Sequence, residues 1–564
     1  MPNSVERPTL AKMLMPKLIT VLGEGYGLAS FRADFIAGLT VAIVALPLSM
    51  ALAIASGATP DKGLLTAVVA GFFISALGGS RFQIGGPTGA FVVVVFNVIA
   101  LHGFDGLVLA TFMAGLMLVA AGLLGVGTYI KYVPQPVITG FTAGIAVIIA
   151  SSQLKDFFGL AVEHVPADFF DKLMVLGAAL PQTSPATLAI GAASLAIILG
   201  LRRWRPSAPG FLIAVILAAI AVWLMQMPTD TIGTRYAGLT PHFEWPTLPE
   251  VTLARLRDLL PTSFTIAFLA GVESLLSALV ADSMTGRRHR SNAELLAQGV
   301  ANIASAAVGG LPATGALART ATNIRSGARS PIAGMLHALM LLLFMLVAWP
   351  LTSFIPLAAL AAVLLVVAWN MSEVDKFRHL MRAPLGDRAV LVLTFVLTVT
   401  VDLTVAIEVG VVLAAFLFMH RMSEAVDVRT HMALIEGDQS DDAPRDRPHD
   451  EVELPAGVVM SRISGPFFFG VAMRLGEVLD RIGAPPRVFI LDMSGVPIID
   501  ATGVSAIEAL IARCAGHHTK VVLCGPQPQP RQVLSEMGAM EGPDVHVAET
   551  RDIALDLARR LVSL

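Results

Sequence analysis

Long apolar stretches alternate with short polar connections over residues 36–420, and beyond them the chain changes to short apolar runs spaced as in a soluble protein. A membrane-spanning helix needs about 20 apolar residues, fewer where it is broken or enclosed by protein. The stretches 36–56, 63–79, 107–126, 136–154, 187–201, 209–227, 261–281, 332–350, 354–370, 386–402 and 404–420 meet that need, and 88–101, 294–308 and the polar 315–327 are weaker. Together they predict fourteen transmembrane segments, and the connection 228–260, rich in Pro, Thr and charge, divides them seven and seven. An odd number per half obliges the second half to insert upside down relative to the first. The third segment of each half is interrupted. One is opened by Gly85-Gly-Pro-Thr-Gly-Ala90, and the other lies in Leu311-Pro-Ala-Thr-Gly-Ala-Leu-Ala-Arg-Thr-Ala-Thr-Asn-Ile-Arg325. Matching interruptions in two halves are the mark of an inverted repeat with a site near the bilayer midplane.

The tail follows other rules. Short apolar runs at 457–463, 487–493, 519–524 and 545–548 read as strands, and amphipathic stretches at 470–482, 501–515, 530–538 and 550–562 read as helices. Their alternation predicts a small sheet covered by helices. The expected organisation is therefore a cytoplasmic N-terminal segment 1–33, a transmembrane domain 34–421, a polar linker 422–455 disordered around 437–448, and an α/β domain 456–564.

Composition agrees with that division. Only 14% of the chain is charged, against about 25% in a soluble protein. Residues 1–420 carry 25 Lys/Arg and 21 Asp/Glu, and residues 421–564 carry 14 and 21, so the net charge of −3 hides a basic membrane part and an acidic tail. With the N-terminus placed in the cytoplasm, inside connections hold 17 Lys/Arg and outside ones 6, which orients both termini to the cytoplasm. No basic run points to nucleic acid. Two cysteines, Cys514 and Cys524, exclude a disulfide framework. Residues 1–33 are too mixed for a cleavable signal peptide. No phosphate loop, metal-ligand cluster or nucleophile–base pair appears, so neither an enzyme nor a cofactor or metal is expected.

The chemistry gathers at the two interruptions. Half-helix N-termini present unbonded amides and the positive end of a dipole. Pro87 suits a helix start, and Thr88, Gly89 and Ala90 then offer donors with room for close approach. Leu317 and Ala318 are the matching donors in the second half, followed by Arg319. A cation inside a membrane is costly and points to function, the alternative being an arginine that reaches an interface or binds carbonyls. Arg325 falls at the cytoplasmic end. Glu273, midway in 261–281, has Ser277 on its helix face. It can carry a proton, can form an oxygen site for Na⁺ with Ser277, or is a structural carboxylate. Ser49 follows Pro47 and can bond its own helix carbonyl. Gln83, Asn97 and Asn302 read as hydrogen-bonding contacts between helices, and His337 and His420 as packing or interfacial residues.

Three runs carry a family resemblance: Glu273-Ser-Leu-Leu-Ser-Ala-Leu-Val-Ala-Asp-Ser-Met-Thr-Gly286, Arg288 to Gly299 with Asn302 and Gly309-Gly-Leu-Pro-Ala-Thr-Gly315, and Ala45-Leu-Pro-Leu-Ser-Met-Ala-Leu-Ala-Ile-Ala-Ser-Gly57. Together they resemble the SulP sulfate permease family. Leu491-Asp-Met-Ser-Gly-Val-Pro-Ile-Ile-Asp-Ala-Thr-Gly503 is similar to the STAS domain that ends such transporters. The resemblance implies fourteen segments sorted into core and gate domains, a homodimer, and a basic residue at the place of Arg319. It also implies a substrate role for Ser49 and a coupling role for Glu273. In similar bacterial STAS loops a Ser or Thr is phosphorylated, and Thr502 holds that place. The expected function is secondary active, H⁺-coupled symport of a small anion, sulfate first, in the inner (plasma) membrane. The alternatives are Na⁺-coupled bicarbonate transport, dicarboxylate transport, and a membrane scaffold or sensor acting through the tail.

Overall fold

Helices fill every stretch that the hydropathy pattern marks between residues 28 and 424. The computed structural model describes residues 13–130, 134–162, 165–166, 168–205, 208–236, 251–401, 403–424, 427–432, 454–468 and 485–563. It divides after Val412 into two compact units. In the first, α1 (Leu28–Ala55) and α2 (Pro60–Leu77) precede the two-residue strand β1 (Gly85–Gly86) and α3 (Val92–Leu123). There follow α4 (Gln135–Phe158), α5 (Phe169–Ala179), α6 (Pro185–Trp204), α7 (Gly210–Met225), α8 (Leu253–Thr285) and α9 (Ser291–Ala307). A second short strand, β2 (Thr314–Gly315), leads into α10 (Leu317–Arg325), α11 (Ile332–Val347), α12 (Leu357–Met371) and α13 (Leu385–Thr400), and the division falls within α14 (Leu403–Glu424). Among the described residues, eight helical stretches are long and apolar enough to cross a membrane by length and composition. Many of their large apolar side chains point outward, such as Trp204, Leu101 and Phe416, as a lipid-facing exterior requires. The expected segments 88–101 and 107–126 run together as α3, broken only where Gly103 turns to φ 71°. Helix α5 lies in a connection where no helix was expected.

The helices of this unit pack in two sets. One holds α1, α2, α3, α8, α9, α10 and α11, and the other α4, α6, α7, α12 and α13 with α5 beside them. Each set draws from both halves of the chain, as core and gate domains built from a repeat would. Helices α3 and α9 come especially close because Gly115 and Gly299 face each other, and a Cβ on Gly299 would lie 2.6 Å from the Val119 nitrogen.

The second unit contains a five-stranded sheet in the order β3 (Asp427–Met432), β4 (Val458–Ser464), β5 (Val488–Gly495), β6 (Lys520–Cys524), β7 (Val545–Ala548). Strands β4 to β7 are parallel and β3 is antiparallel to β4. Helices α15 (Ala501–Gly516), α16 (Pro528–Glu536) and α17 (Arg551–Ser563) cover it, with apolar clusters on both faces. Strand β3 falls inside the expected linker 422–455. Its Val428, Thr430 and Met432 do alternate with polar residues, but the charge of the segment outweighed that period. The expected helix 470–482 and the stretch 437–448 lie outside the described residues. At the end of β5, Asp492 is 1% exposed and accepts from the Ser494 hydroxyl at 2.6 Å and the Arg551 guanidinium at 3.0 Å.

Candidate anion site

The two interrupted segments meet. Strand β1 pairs antiparallel with β2, Gly85 opposite Gly315 and Gly86 opposite Thr314. Two strands that run oppositely through one short ladder send their following helices away in opposite directions. The positive N-terminal ends therefore both face the ladder. On one side Thr88 is extended (φ −126°, ψ 161°) and caps the turn Gly89–Phe91 that leads into α3. On the other, Ala316 (φ −99°, ψ 111°) precedes α10. Neither start receives a side-chain cap. Pro87 therefore stands before the cap rather than at the first helical position, because β1 and the extended Thr88 delay the helix. The cradle is tied further. Ala316 donates to the Ile84 carbonyl at 2.8 Å, the Ile84 amide donates to the Thr320 hydroxyl at 3.1 Å, and Asn323 donates to the Phe82 carbonyl at 3.0 Å.

Arg319 projects from the first turn of α10 and is 3% exposed. Its Nη2 donates to the Pro87 carbonyl at 2.9 Å, so the second half-helix reaches back to the entry of the first. Its Nε and Nη1 are buried without a hydrogen-bond partner, and it forms no ion pair among the described residues. Gly86 makes room for it. With φ 147°, a region favouring glycine, its Cβ would stand 2.6 Å from Nη1. A buried guanidinium with idle donors beside two uncapped helix starts offers hydrogen bonds and positive charge that an anion can take up.

Glu273 on α8 joins this cradle. The Thr88 hydroxyl donates to its Oε2 at 3.0 Å. Its hydrogen-bond partner thus comes from the other half of the repeat and not from Ser277, whose buried hydroxyl has no partner. The Ser49 hydroxyl on α1 is fully buried and likewise unpartnered, so it does not bond its own helix carbonyl. Gly89 and Ala90 are buried, whereas Leu317 is 46% exposed and Ala318 is exposed, so only the backbone of these two is available to the cradle. Arg325 is exposed at the far end of α10. In the second unit, Asp500 accepts from the Gly503 amide at 2.7 Å and caps α15, leaving Thr502 exposed on its first turn.

Sequence reasoning gave no role to Glu294. It is fully buried on α9 and accepts from the Gly79 amide at 2.9 Å, the Ser80 amide at 3.1 Å, the Ser274 hydroxyl at 3.0 Å and Gln298 at 3.0 Å. Gln83 donates to the Ser274 carbonyl at 3.1 Å, and Asn302 exchanges hydrogen bonds with Ala313 just before β2. This network fixes the residue next to Glu273 and both approaches to the ladder. The signal was present in the sequence, since Glu294, Gln298 and Asn302 recur every four residues and form one polar stripe on an otherwise apolar helix. Asp34 was also missed. It accepts from Tyr26, the Arg329 amide and Ser330, and so anchors the start of α1 to the turn after α10.

Known proteins share this architecture. The sulfate permease family model matches residues 31–394, and the STAS domain model matches residues 451–552. A putative sulfate transporter, YvdB of Bacillus subtilis, is 41% identical over 520 residues, 91% of this chain and 95% of that one. The bicarbonate transporter BicA of Picosynechococcus is 30% identical over 90% of this chain and 91% of its own. The murine anion transporter Slc26a9 in its inward-facing state superposes with a TM-score of 0.85, covering 99% of this chain and 96% of that one at 20% identity. The transmembrane domain of a cyanobacterial BicA gives 0.61 over 68% of this chain and 98% of its own, at 31% identity. The matches to the family models and to a relative at 41% identity, on a helical unit with two opposed half-helices and an α/β tail, make the chain a member of the sulfate permease family, a multi-pass anion transporter ending in a STAS domain.

Proposed function

We propose that the chain is a secondary active symporter that binds a small anion, sulfate first, between the starts of α3 and α10. The amides of Thr88–Ala90 and Leu317–Arg319 are the donors, and Ser49 lines the same site. The observation that carries this reading is the buried Arg319 guanidinium with idle Nε and Nη1 donors beside two uncapped helix starts. Two dipole ends of about half a charge each and one guanidinium amount to roughly two positive charges, enough for a monoanion or a dianion. Sulfate takes precedence because the relative at 41% identity is named a putative sulfate transporter.

Coupling runs through Glu273. Ionised, it places a negative charge at the cradle and holds the Thr88 hydroxyl as an acceptor. Protonated, it no longer repels the anion and frees that hydroxyl to donate to it. Proton and anion then travel together, with access alternating as the set containing the half-helices moves against the other. The chain works as a homodimer in the plasma membrane with both termini in the cytoplasm, and phosphorylation of exposed Thr502 tunes it.

The test is uptake of radiolabelled sulfate into proteoliposomes under an imposed pH gradient. Wild type should concentrate sulfate, and Arg319→Ala should abolish uptake while remaining folded. Uptake by Arg319→Ala at the wild-type rate would sink the assignment. Na⁺-coupled bicarbonate transport is the second reading, favoured by two BicA relatives at 30% and 31% identity. Here Glu273 and the unpartnered Ser277 hydroxyl would hold the cation, and replacing Na⁺ by choline would stop bicarbonate uptake at fixed pH.

A further inference from the structure

Helix α5 carries a nearly buried lysine. Asp168 caps this helix by accepting from the Phe170 and Asp171 amides at 2.9 and 3.2 Å. Leu176 and Ala179 fix it against Leu160 and Phe158 at the end of α4. Lys172, one turn before Leu176, is 4% exposed. Its Nζ donates to the Ser152 hydroxyl of α4 at 3.1 Å and stands 5.9 Å from the centroid of the Phe96 ring. Phe96 lies on α3, eight residues beyond Thr88 on the half-helix that starts at the anion cradle. At about 1.5 Å per residue, that is roughly 12 Å farther along the same helix.

Lys172 therefore spans the two helix sets, fixed by a hydroxyl on one and an aromatic face on the other. An ammonium has three donors, of which a hydroxyl and a ring engage two at most. Among the described residues it forms no ion pair, and the Asp168 Oδ1 is occupied by backbone amides. Asp168, one turn before it, pulls on the ammonium through Coulombic attraction without forming an ion pair, so the nearly buried cation keeps an idle donor and a field that draws anions. Farther along α3, at its Gly103 break, cations and carboxylates mix, with Asp61 next to Lys62 and Asp105 next to Phe104 in the chain. Lys62 lies 5.6 Å from the Phe104 ring centroid, and the Arg255 guanidinium reaches the His102 carbonyl at 3.5 Å.

We infer that Lys172 is an anion-contacting residue at the mouth of the pathway, binding a small oxyanion such as sulfate before it reaches Arg319. The inference rests on the function proposed above. Movement of the two sets past one another breaks the Ser152–Lys172–Phe96 bridge and turns the ammonium toward the entering anion.

The test uses the full-length protein in proteoliposomes with radiolabelled sulfate. Lys172→Gln should raise the KM for sulfate entering from this face by roughly three- to tenfold with little change in maximal rate, and Lys172→Arg should restore it. Wild-type protein supplies a second readout. Saturating sulfate should change the labelling of Lys172 by a membrane-impermeant amine-reactive ester while leaving Lys155 unaffected. An unchanged KM in Lys172→Gln, or Lys172 labelling indifferent to sulfate, overturns the inference even if Arg319→Ala abolishes uptake. If Arg319→Ala transports normally, it is instead the cradle assignment that fails.

Discussion

Replacing Gly86 by alanine should displace the Arg319 guanidinium without altering the cation itself. The new Cβ would lie 2.6 Å from Nη1, and ordinary contact begins near 3.4 Å, so the guanidinium must retreat by about 0.8 Å. Its Nη2–Pro87 bond of 2.9 Å then lengthens beyond hydrogen-bonding range if the retreat follows that bond. A hydrogen bond to a charged group contributes about 1.5–3 kcal/mol. Loss of that aim should raise the KM for the anion by at least about tenfold. Alanine at φ 147° also strains the backbone by an amount on the order of 1–3 kcal/mol, which acts on stability. Gly103→Ala separates the two effects, because Gly103 also has positive φ (71°) but nothing lies within 4 Å of its Cβ. The assay is the concentration dependence of sulfate uptake in proteoliposomes, paired with thermal unfolding in detergent. Gly103→Ala should lose stability and keep its KM, and Gly86→Ala should lose both. A KM within twofold of wild type in a folded Gly86→Ala protein would refute the geometric role assigned to the Arg319–Pro87 contact.

Other outcomes follow from the same geometry. Thr88→Val removes the donor to Glu273, so the dependence of uptake on an imposed pH gradient should change while the tail domain is unaffected, as hydrogen exchange in the sheet can verify. Burial acts to raise the Asp492 carboxyl, but the Ser494 hydroxyl and amide and the Arg551 guanidinium outweigh it and hold the group below the ordinary carboxylate range. Its contribution to tail stability is therefore complete above the unfolded-state value near 4 and lost as pH falls through the folded one. Hydrogen exchange of β5 amides in the full-length protein should accelerate over that acid window, and Asp492→Asn should flatten the dependence. Burial pushes the thiols of Cys514 and Cys524 up to about 11. Maleimide should label neither in the native protein at neutral pH and both in denaturant.

Much of this architecture was legible because it follows from hydropathy. Apolar runs become helices wherever backbone groups must be satisfied without water, and the interruptions at 85–90 and 311–316 announce themselves by Gly and Pro. The opposed half-helices and Arg319 were accessible on the same ground. What pairs with what was not. That Thr88 rather than Ser277 meets Glu273 depends on contacts between residues 185 positions apart, which no local period encodes. Glu294 sat in a span read as weak because its polar stripe lowered the hydropathy, although that stripe is what buries against α2 and α8. Strand β3 went unseen because its charges masked its alternation. Helix α5 is amphipathic and short, and a search for bilayer-length segments passes over it.

The ladder between β1 and β2 is only two residues long, yet four further contacts cross it, Ala316 to Ile84, Ile84 to Thr320, Asn323 to Phe82 and Arg319 to Pro87, and Thr88 ties it to Glu273 of α8. Such a junction resists being prised open along its own seam. In the transport cycle proposed above, the seat would be carried whole, like a passenger in a closed carriage, and doors elsewhere would decide which side it faces. Substitutions that alter the doors should change how fast cargo is delivered, and substitutions that alter the seat should change which cargo is taken.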